Sequence, residues 1–387
     1  MSDYFPADLW IEILIKLPVK SLIRFTAVSK SWRSLITSPN FNSVHLSNAK
    51  NRALLRRYDK HDKHEHYHLL EFAAKNGAFG INSCSEFEFP LKSQIGYFRI
   101  VGSCDGLVCL TDDFFLYPSQ PVILWNPSVR NRVILPQAIT NPKGPHIVVL
   151  GFGVANGVYK VVRLVYCRKP DDYGFGVPPQ AEIFSLGAGR WRKVWGFDIK
   201  LRILEFMWCQ VLLNGVVHWL GYEPIDDDHS SRSSILAFEI DNEVFGEVML
   251  PDLLAKEAVN SLCLFASEGS LALVKYSSAS EIEACDVWIM KEYGVKKSWM
   301  KLYRIDLAGG FERVVGFRNG EALLAIQGLD LVAYNLESRR TQNLGIYGTP
   351  RSFYIDKYVE SLLLLKGKTE SAEEDLDRDA LEGLSLE

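Results

Sequence analysis

The stretch SCDGLVCL (residues 103–110) contains a glycine followed by an apolar run, and this pattern recurs along the chain. The recurrences are NGVYKVVRLV at 156–165, NGVVHWL at 214–220, EGSLALV at 268–274 and NGEALLAI at 319–326. Successive glycines of this set are 51, 58, 54 and 51 residues apart. Short β-branched and aromatic runs between Gly, Asn and Pro are typical of strands. The spacing therefore predicts a β-repeat of about 50 residues.

A second piece follows each glycine run and consists of a strand, a polar turn and another strand. The five copies are ILWNPSVRNRVILP (123–136), AEIFSLGAGRWRKV (181–194), ILAFEIDNEVFGEVMLP (235–251), DVWIMKEYGVKKSWMKL (286–302) and LVAYNLESRRTQNL (331–344). Each copy predicts one antiparallel hairpin. Repeats of about 50 residues with four short strands are typical of propeller blades. Neither the kelch nor the WD signature is regular, so we expect irregular blades.

Five blades are explicit, and the two ends of the chain together predict a sixth. SFYIDKYVESLLLL (352–365) matches the place of the glycine strand, while YHLLEF (67–72) and SEFEFPL (85–91) supply a hairpin. Pairing the C-terminal strand with N-terminal ones closes a ring and removes exposed edges. We therefore predict an all-β propeller of about six blades over residues 67–366.

The N-terminal segment, residues 1–47, predicts three short helices instead of strands. Leu9, Ile13 and Leu17 recur at helical spacing. Pro18 ends this helix and opens a second, and Ser29 can cap a third. Three helices in about 40 residues are too few to bury a stable core alone. Their surplus of apolar residues predicts a surface for a partner.

The stretch FPADLWIEILIKLPVKSLIRFTAVSKSWRSLITSPNF (5–41) resembles an F-box over the whole motif. The resemblance implies docking on a Skp-type adaptor, which joins the chain to a cullin-based ubiquitin ligase. Two positions depart from the usual pattern: Phe5 stands where Leu is common, and Lys16 where Arg is common. The matching positions, which the resemblance makes adaptor contacts, are Pro6, Leu9, Ile13, Leu14, Pro18, Leu22, Phe25, Val28, Lys30 and Trp32.

The repeat region resembles the F-box-associated interaction domain of plant F-box proteins. The stretches that carry this resemblance are EFPLKSQIGYFRIVGSCDGLVCLTDD (88–113), ILWNPSVRNRVILP (123–136), LGFGVANGVYKVVRLVY (150–166) and KYVESLLLL (357–365). It implies a non-catalytic substrate receptor of an SCF (Skp–cullin–F-box) ligase, which binds a target protein for ubiquitination and degradation. The alternative is an adaptor-bound F-box scaffold that acts outside the ligase.

Four parts with an α+β fold class follow from these patterns. We predict an F-box over 1–47, a linker over 48–66, a kelch-like propeller over 67–366 and a disordered acidic tail over 367–387. The tail holds eight acidic residues against Lys368 and Arg378.

The loops after the glycine strands are long and irregular, and we expect them on one face of the ring. Solvated loops kept polar for solubility would explain their composition equally well. As a binding face they would form an acidic rim with aromatic anchors, suited to a basic protein. The residues assigned to this rim are Asp112, Asp113, Phe114, Tyr173, Tyr222, Asp226, Asp227, Asp228, Glu281 and Glu283.

Composition and motifs exclude several other classes. The net charge of −4 argues against a general nucleic-acid binder. No apolar run reaches the roughly 20 residues that a membrane span needs. GFGVANG (151–157) does not fit a dinucleotide-binding motif, and GxSxG, HExxH and P-loop motifs are absent. We therefore expect no catalytic residue, no cofactor, no nucleic acid and no membrane partner.

The metal-binding residue types give no clear site in the sequence. Seven scattered cysteines without a CxxC pair fit reduced thiols of an intracellular protein, in the cytoplasm, the nucleus or both. His64, His66 and His68 would share one face of a strand, and such a ladder can bind zinc or nickel. A polar linker explains the histidines equally well, so we predict no metal ligand.

Overall fold

The computed structural model describes residues 7–50, 52–72, 81–87, 89, 91, 93, 98–112, 121–168, 176–203, 210–224, 231–277, 284–308, 310–318, 321–326 and 330–365. The predicted acidic tail lies outside these residues. No helix in the described part of the chain is long and apolar enough to cross a membrane.

The N-terminal segment folds into helices whose ends follow the capping residues of the sequence. The hydroxyl of Ser29 accepts a hydrogen bond from the backbone N–H of Trp32 at 3.2 Å, as predicted for a cap. Ser38 does the same for the N–H of Phe41 at 3.2 Å, with a proline in the first turn. Ser38-Pro39 therefore ends the third helix, as predicted, but also begins a fourth. The helices are α1 (Ala7–Leu14), α2 (Val19–Phe25), α3 (Lys30–Ile36) and α4 (Pro39–Asn48).

The rest of the described chain forms six four-stranded antiparallel sheets, which confirms the prediction of a six-bladed propeller. Blade 1 contains β1 (Arg52–Asp59), β2 (His64–Phe72), β3 (Ile81–Phe87) and, from the far end of the chain, β24 (Tyr354–Tyr358). Blade 2 contains β4 (Arg99–Cys104), β5 (Leu107–Thr111), β6 (Val122–Asn126) and β7 (Asn131–Ile134). Blade 3 contains β8 (His146–Ala155), β9 (Val158–Cys167), β10 (Gln180–Ser185) and β11 (Arg190–Val194).

The second half of the ring repeats this arrangement. Blade 4 contains β12 (Val211–Leu213), β13 (Val216–Pro224), β14 (Ser231–Glu239) and β15 (Val244–Val248), and the short helix α5 (Asp252–Ala255) follows it. Blade 5 contains β16 (Leu262–Ser267), β17 (Ser270–Tyr276), β18 (Ala284–Met290) and β19 (Trp299–Asp306). Blade 6 contains β20 (Phe311–Arg318), β21 (Glu321–Ile326), β22 (Asp330–Asn335) and β23 (Thr341–Tyr347).

Four of the five repeat glycines, Gly106, Gly157, Gly215 and Gly269, lie in a described turn between the first and second strands of a blade. At Asp105-Gly106 both residues have positive φ, 48° and 80°, and Asn214-Gly215 has 50° and 74°. A two-residue hairpin turn of this kind matches the twist of the strands, and its second position favours glycine. The recurrent glycine therefore marks where each blade reverses its chain.

Blade 1 closes the ring with strands from both ends of the chain. β24 pairs with β1 in antiparallel register, with Arg56 opposite Tyr354. β24 takes the first-strand position, so the prediction that 352–365 replaces the glycine strand is wrong. The predicted hairpin of 67–72 with 85–91 is confirmed by the pairing of β2 with β3.

The predicted linker over 48–66 is also wrong, because β1 and the start of β2 lie within it. The arginines and histidines of residues 48–66 are typical of a solvated linker. In the structure, however, Ala53, Leu54 and Leu55 are buried between blades. Arg56 is buried too, and its guanidinium donates a hydrogen bond to the carbonyl of Ser352 at 2.8 Å. β1 pairs locally with β2 and also with β24, about 300 residues away in the chain, so its charged residues hide a strand that lies inside the sheet.

Candidate binding surfaces

The four helices share a small core that is completed by a residue from the other end of the chain. Leu14, Leu22, Ile36 and Phe41 are buried together, and Leu362 packs among them. Leu14 and Leu22 were predicted as adaptor contacts, but at 1% and 0% exposure they offer no surface in this conformation. They hold α1 and α2 together, so their role as direct contacts is corrected to one of support.

Other predicted contact residues remain on the surface of the helices. Leu9, Ile13 and Val28 are exposed by 42%, 52% and 66%, which is unusual for large apolar side chains. Leu9 and Ile13 are four residues apart in α1 and therefore lie on the same face of the helix. Pro18 and Lys30 are exposed as well. The described chain therefore leaves Leu9, Ile13 and Val28 largely uncovered, and a partner surface could bury them.

Three aromatic side chains of the helices, Trp10, Phe25 and Trp32, pack against one another and support the exposed residues. Trp32 is half-buried and packs edge-on against Phe25, with 5.2 Å between ring centroids. Trp10 lies against the same indole at 5.4 Å. Aromatic pairs at this separation attract each other beyond their burial. Phe25 and Trp32 therefore act partly as surface and partly as support, while Pro6 lies outside the described residues.

The helices are fixed to one end of the ring. α2 contacts the turn Pro127–Val129, which joins the third and fourth strands of blade 2. Val129 packs against the helical core from that turn. The backbone N–H of Leu365 donates a hydrogen bond to the side chain of Asn131 at 2.5 Å, so the segment that carries Leu362 is also attached to blade 2. The sequence did not indicate this attachment, because it joins residues more than 200 positions apart.

The two predicted rim residues that the structure describes, Asp112 and Tyr222, lie at the ends of second strands, away from the helices. Strands alternate in direction within each blade, so connections after the second strand lie away from connections after the third. Eight of the ten predicted rim residues lie outside the described residues: Asp113, Phe114, Tyr173, Asp226, Asp227, Asp228, Glu281 and Glu283.

The two described rim residues are both half-buried and hydrogen-bonded. Asp112 accepts a hydrogen bond from the hydroxyl of Ser93 at 2.8 Å. Tyr222 exchanges backbone hydrogen bonds with Arg202, at 2.8 and 2.9 Å. Both residues lie where the second strand of a blade ends, which is the position expected of rim residues.

A buried carboxyl that the sequence did not single out lies near Asp112. Burial, and to a smaller extent the negative charge of Asp112, raise the pKa of Glu65 to about 7. The nearby guanidinium of Arg56 and a hydrogen bond from the backbone N–H of Phe98, at 2.8 Å, oppose this shift. Glu65 is at the start of β2, so this end of the ring contains a carboxyl that changes charge near neutral pH.

Comparison with known proteins agrees with this two-part architecture. A family model described as the F-box domain matches residues 3–44, and one described as the F-box associated beta propeller domain matches residues 81–361. The chain is similar to F-box protein CPR1 of Arabidopsis thaliana, at 26% identity over 93% of this chain and 88% of that protein. It is also similar to the F-box/kelch-repeat protein At3g23880 of the same plant, at 27% identity over 87% and 88% of the two chains.

Proposed function

This chain belongs to the F-box proteins that carry an F-box associated beta propeller domain, and we propose that it is the substrate receptor of an SCF-type ubiquitin ligase. In this role the helices bind a Skp-type adaptor, and through it a cullin, while the propeller binds the target. The observation that carries the proposal is the exposed apolar surface of Leu9, Ile13 and Val28 on helices that are attached to the propeller.

The receptor needs no catalytic residue of its own for this function. It raises the effective concentration of a target lysine at a ubiquitin-charged enzyme that the same scaffold holds. That effect depends on a fixed geometry between adaptor and target. The contact of α2 with Pro127–Val129 and the insertion of Leu362 into the helical core supply such a fixed connection.

The target would bind at the end of the ring away from the helices. There the connections after the second strands carry the predicted acidic rim, which favours a basic protein surface through complementary charge. This arrangement separates the two partners by the height of the propeller, so neither would block the other.

The adaptor surface is tested by measuring the affinity of the full chain for a Skp-type adaptor. Replacing Ile13 by Asp places a charge in the centre of the exposed apolar face. We expect at least a 100-fold weaker affinity, about 3 kcal/mol, as for a buried interface anchor. Leu253→Asp is the matched control, because Leu253 is an exposed leucine (71%) on the distant helix α5. The proposal is contradicted if Ile13→Asp binds the adaptor as tightly as Leu253→Asp does.

A further inference from the structure

The hairpin of β1 and β2 brings together three possible metal ligands, two aspartates and a histidine, that the sequence pattern did not group. Asp59 ends β1, Asp62 lies in the turn and His66 lies in β2. One potential ligand atom from each lies within 4.8 Å of those of the other two. In the strand ladder His64 is directly opposite Asp59, so a second imidazole adjoins the group. This mixture of imidazole and carboxylate ligands is one that zinc accepts.

The ring of His66 is held in the orientation that a metal ligand needs. Its Nε2 points at Asp62, 2.7 Å from the carboxylate oxygen Oδ2. Its Nδ1 hydrogen-bonds with the carboxylate of Glu86 on the neighbouring strand β3. A metal-bound histidine almost always donates its second ring N–H to such a carboxylate, which fixes the tautomer. With Glu86 holding a proton on Nδ1, displacement of the Nε2 proton by zinc would leave the Nε2 lone pair facing Asp62.

We infer that this hairpin binds one zinc ion through His66 Nε2, Asp62 and Asp59, with His64 adjacent and Glu86 orienting His66. Zinc bonds to nitrogen and oxygen are about 2.1 Å long, which puts tetrahedral ligand atoms about 3.4 Å apart. The observed 2.7 Å between His66 and Asp62 must then open by about 0.7 Å. Asp62 lies in an exposed turn, where a shift of this size meets little resistance.

A second group of residues, His66, His68 and Glu86, also lies within ligand distance but suits a cation less well. The guanidinium of Arg57 donates a hydrogen bond to His68 Nε2 at 3.1 Å. Burial and this positive charge lower the pKa of His68 to about 4. A divalent ion beside His68 would face the same guanidinium. Arg57 also lies 3.3 Å from Asp59 Oδ2, so we expect Asp59 to be the weakest of the three ligands.

The proposed site lies on the connection that follows the second strand of blade 1. A zinc ion there would hold together the two strands that come next to β24 in the closing sheet. Metal binding would therefore stabilise the blade in which the ends of the ring meet. This inference does not depend on the proposed ligase function.

The test uses the full chain, with affinity tags removed and metals stripped by a chelator. Zinc chloride is titrated by calorimetry. We expect one His66-dependent zinc site per chain, which His66→Gln abolishes and Asp62→Asn weakens at least tenfold. Glu86→Gln, which removes no ligand, should weaken it 10- to 100-fold. His146→Gln is the control on a histidine in blade 3 and should bind like the unchanged chain.

Melting temperatures measured in chelator establish that each variant is folded before zinc is added. In the unchanged chain zinc should raise the melting temperature, and in His66→Gln it should not. The inference is overturned if His66→Gln binds zinc like the unchanged chain, or if no stoichiometric site exists. It is also overturned if His68→Gln abolishes binding while Asp62→Asn has no effect, because the second group would then be the site.

Discussion

The side-chain amide of Asn126 donates a hydrogen bond to the backbone carbonyl of Ser361, 3.0 Å away. The same amide donates to the carbonyl of Leu363 at 2.9 Å, and Asn126 is fully buried at the end of β6. These two bonds hold both sides of Leu362, whose side chain enters the helical core. The buried amide of Asn126 is therefore one of the contacts through which the propeller holds the helices, beside those of Pro127–Val129 and Asn131.

Replacing Asn126 by Ala removes this amide and leaves two buried carbonyls without their donor. An unsatisfied buried polar group costs about 1–3 kcal/mol. We expect the free energy of unfolding to fall by about that amount in urea denaturation followed by tryptophan fluorescence. Asn242→Ala, at an exposed asparagine, is the control and should change it little. An unchanged midpoint for Asn126→Ala would contradict the anchoring role.

Leu362→Ala tests whether the C-terminal segment positions the helices. Truncating a buried leucine costs about 2–5 kcal/mol through lost burial and the cavity left behind. Because Leu362 packs on the helices, we expect Leu362→Ala to speed amide hydrogen exchange in α1–α4 relative to the unchanged chain. Exchange in the central strands of the propeller should change less. Leu364 is two residues away and 49% exposed, so Leu364→Ala is the matched control. Equal exchange in the two variants would refute the coupling.

Glu65 predicts a pH dependence of stability at the opposite end of the ring. Burial raises its pKa to about 7 in the folded state from an ordinary value of 4.5. Below pH 4.5 both states carry the proton. Between pH 4.5 and 7 the unfolded chain loses it first, so stability falls as pH rises, by up to about 3 kcal/mol.

The variant Glu65→Gln cannot ionise and should lack this part of the decline. Urea denaturation at several pH values between 4.5 and 7.5 measures it. Glu337→Gln, at an exposed glutamate, serves as the control and should keep the full slope. If Glu65→Gln and the unchanged chain show parallel curves, the carboxyl is not the titrating group.

The acidic rim predicts which targets the propeller accepts. Changing Asp226, Asp227 and Asp228 together to Lys reverses the charge of one loop. A target that binds through a basic surface should then associate more slowly and more weakly, most clearly at low salt. Surface plasmon resonance against such a target measures both rates. Exchanging Lys296 and Lys297 for Asp, on the connection after a third strand, is the matched charge control. Unchanged binding by the Asp226–Asp228 variant would contradict the hypothesis that an acidic rim binds the target.

Local sequence patterns predicted the parts of the fold that short-range chemistry determines. Turns such as Asp105-Gly106 need residues that tolerate positive φ, and these residues repeat visibly in the sequence. Helix starts at Ser29 and Ser38 follow from side-chain caps in the same way. These features depend on neighbours a few residues away, so a single sequence displays them.

Contacts between distant residues could not be predicted in this way. The charged residues of RALLRRYD (52–59) are typical of a linker. The sequence does not show that this stretch pairs with a strand about 300 residues away, in which Tyr354 lies opposite Arg56. In the run of four leucines at 362–365, no periodicity shows that Leu362 faces the helices while Leu364 faces outward. Glu86, proposed to orient His66, likewise lies on β3, and only the pairing of β2 with β3 brings it to that histidine.

The most direct test of the receptor function is to capture proteins on the full chain from plant cells with the proteasome blocked, and to measure their ubiquitin. We expect the same proteins to bind the unchanged chain and Ile13→Asp. They should carry ubiquitin chains only when they are captured on the unchanged chain. Captured proteins that bind equally and carry no ubiquitin in either case would contradict it, and would favour an F-box scaffold that acts outside the ligase.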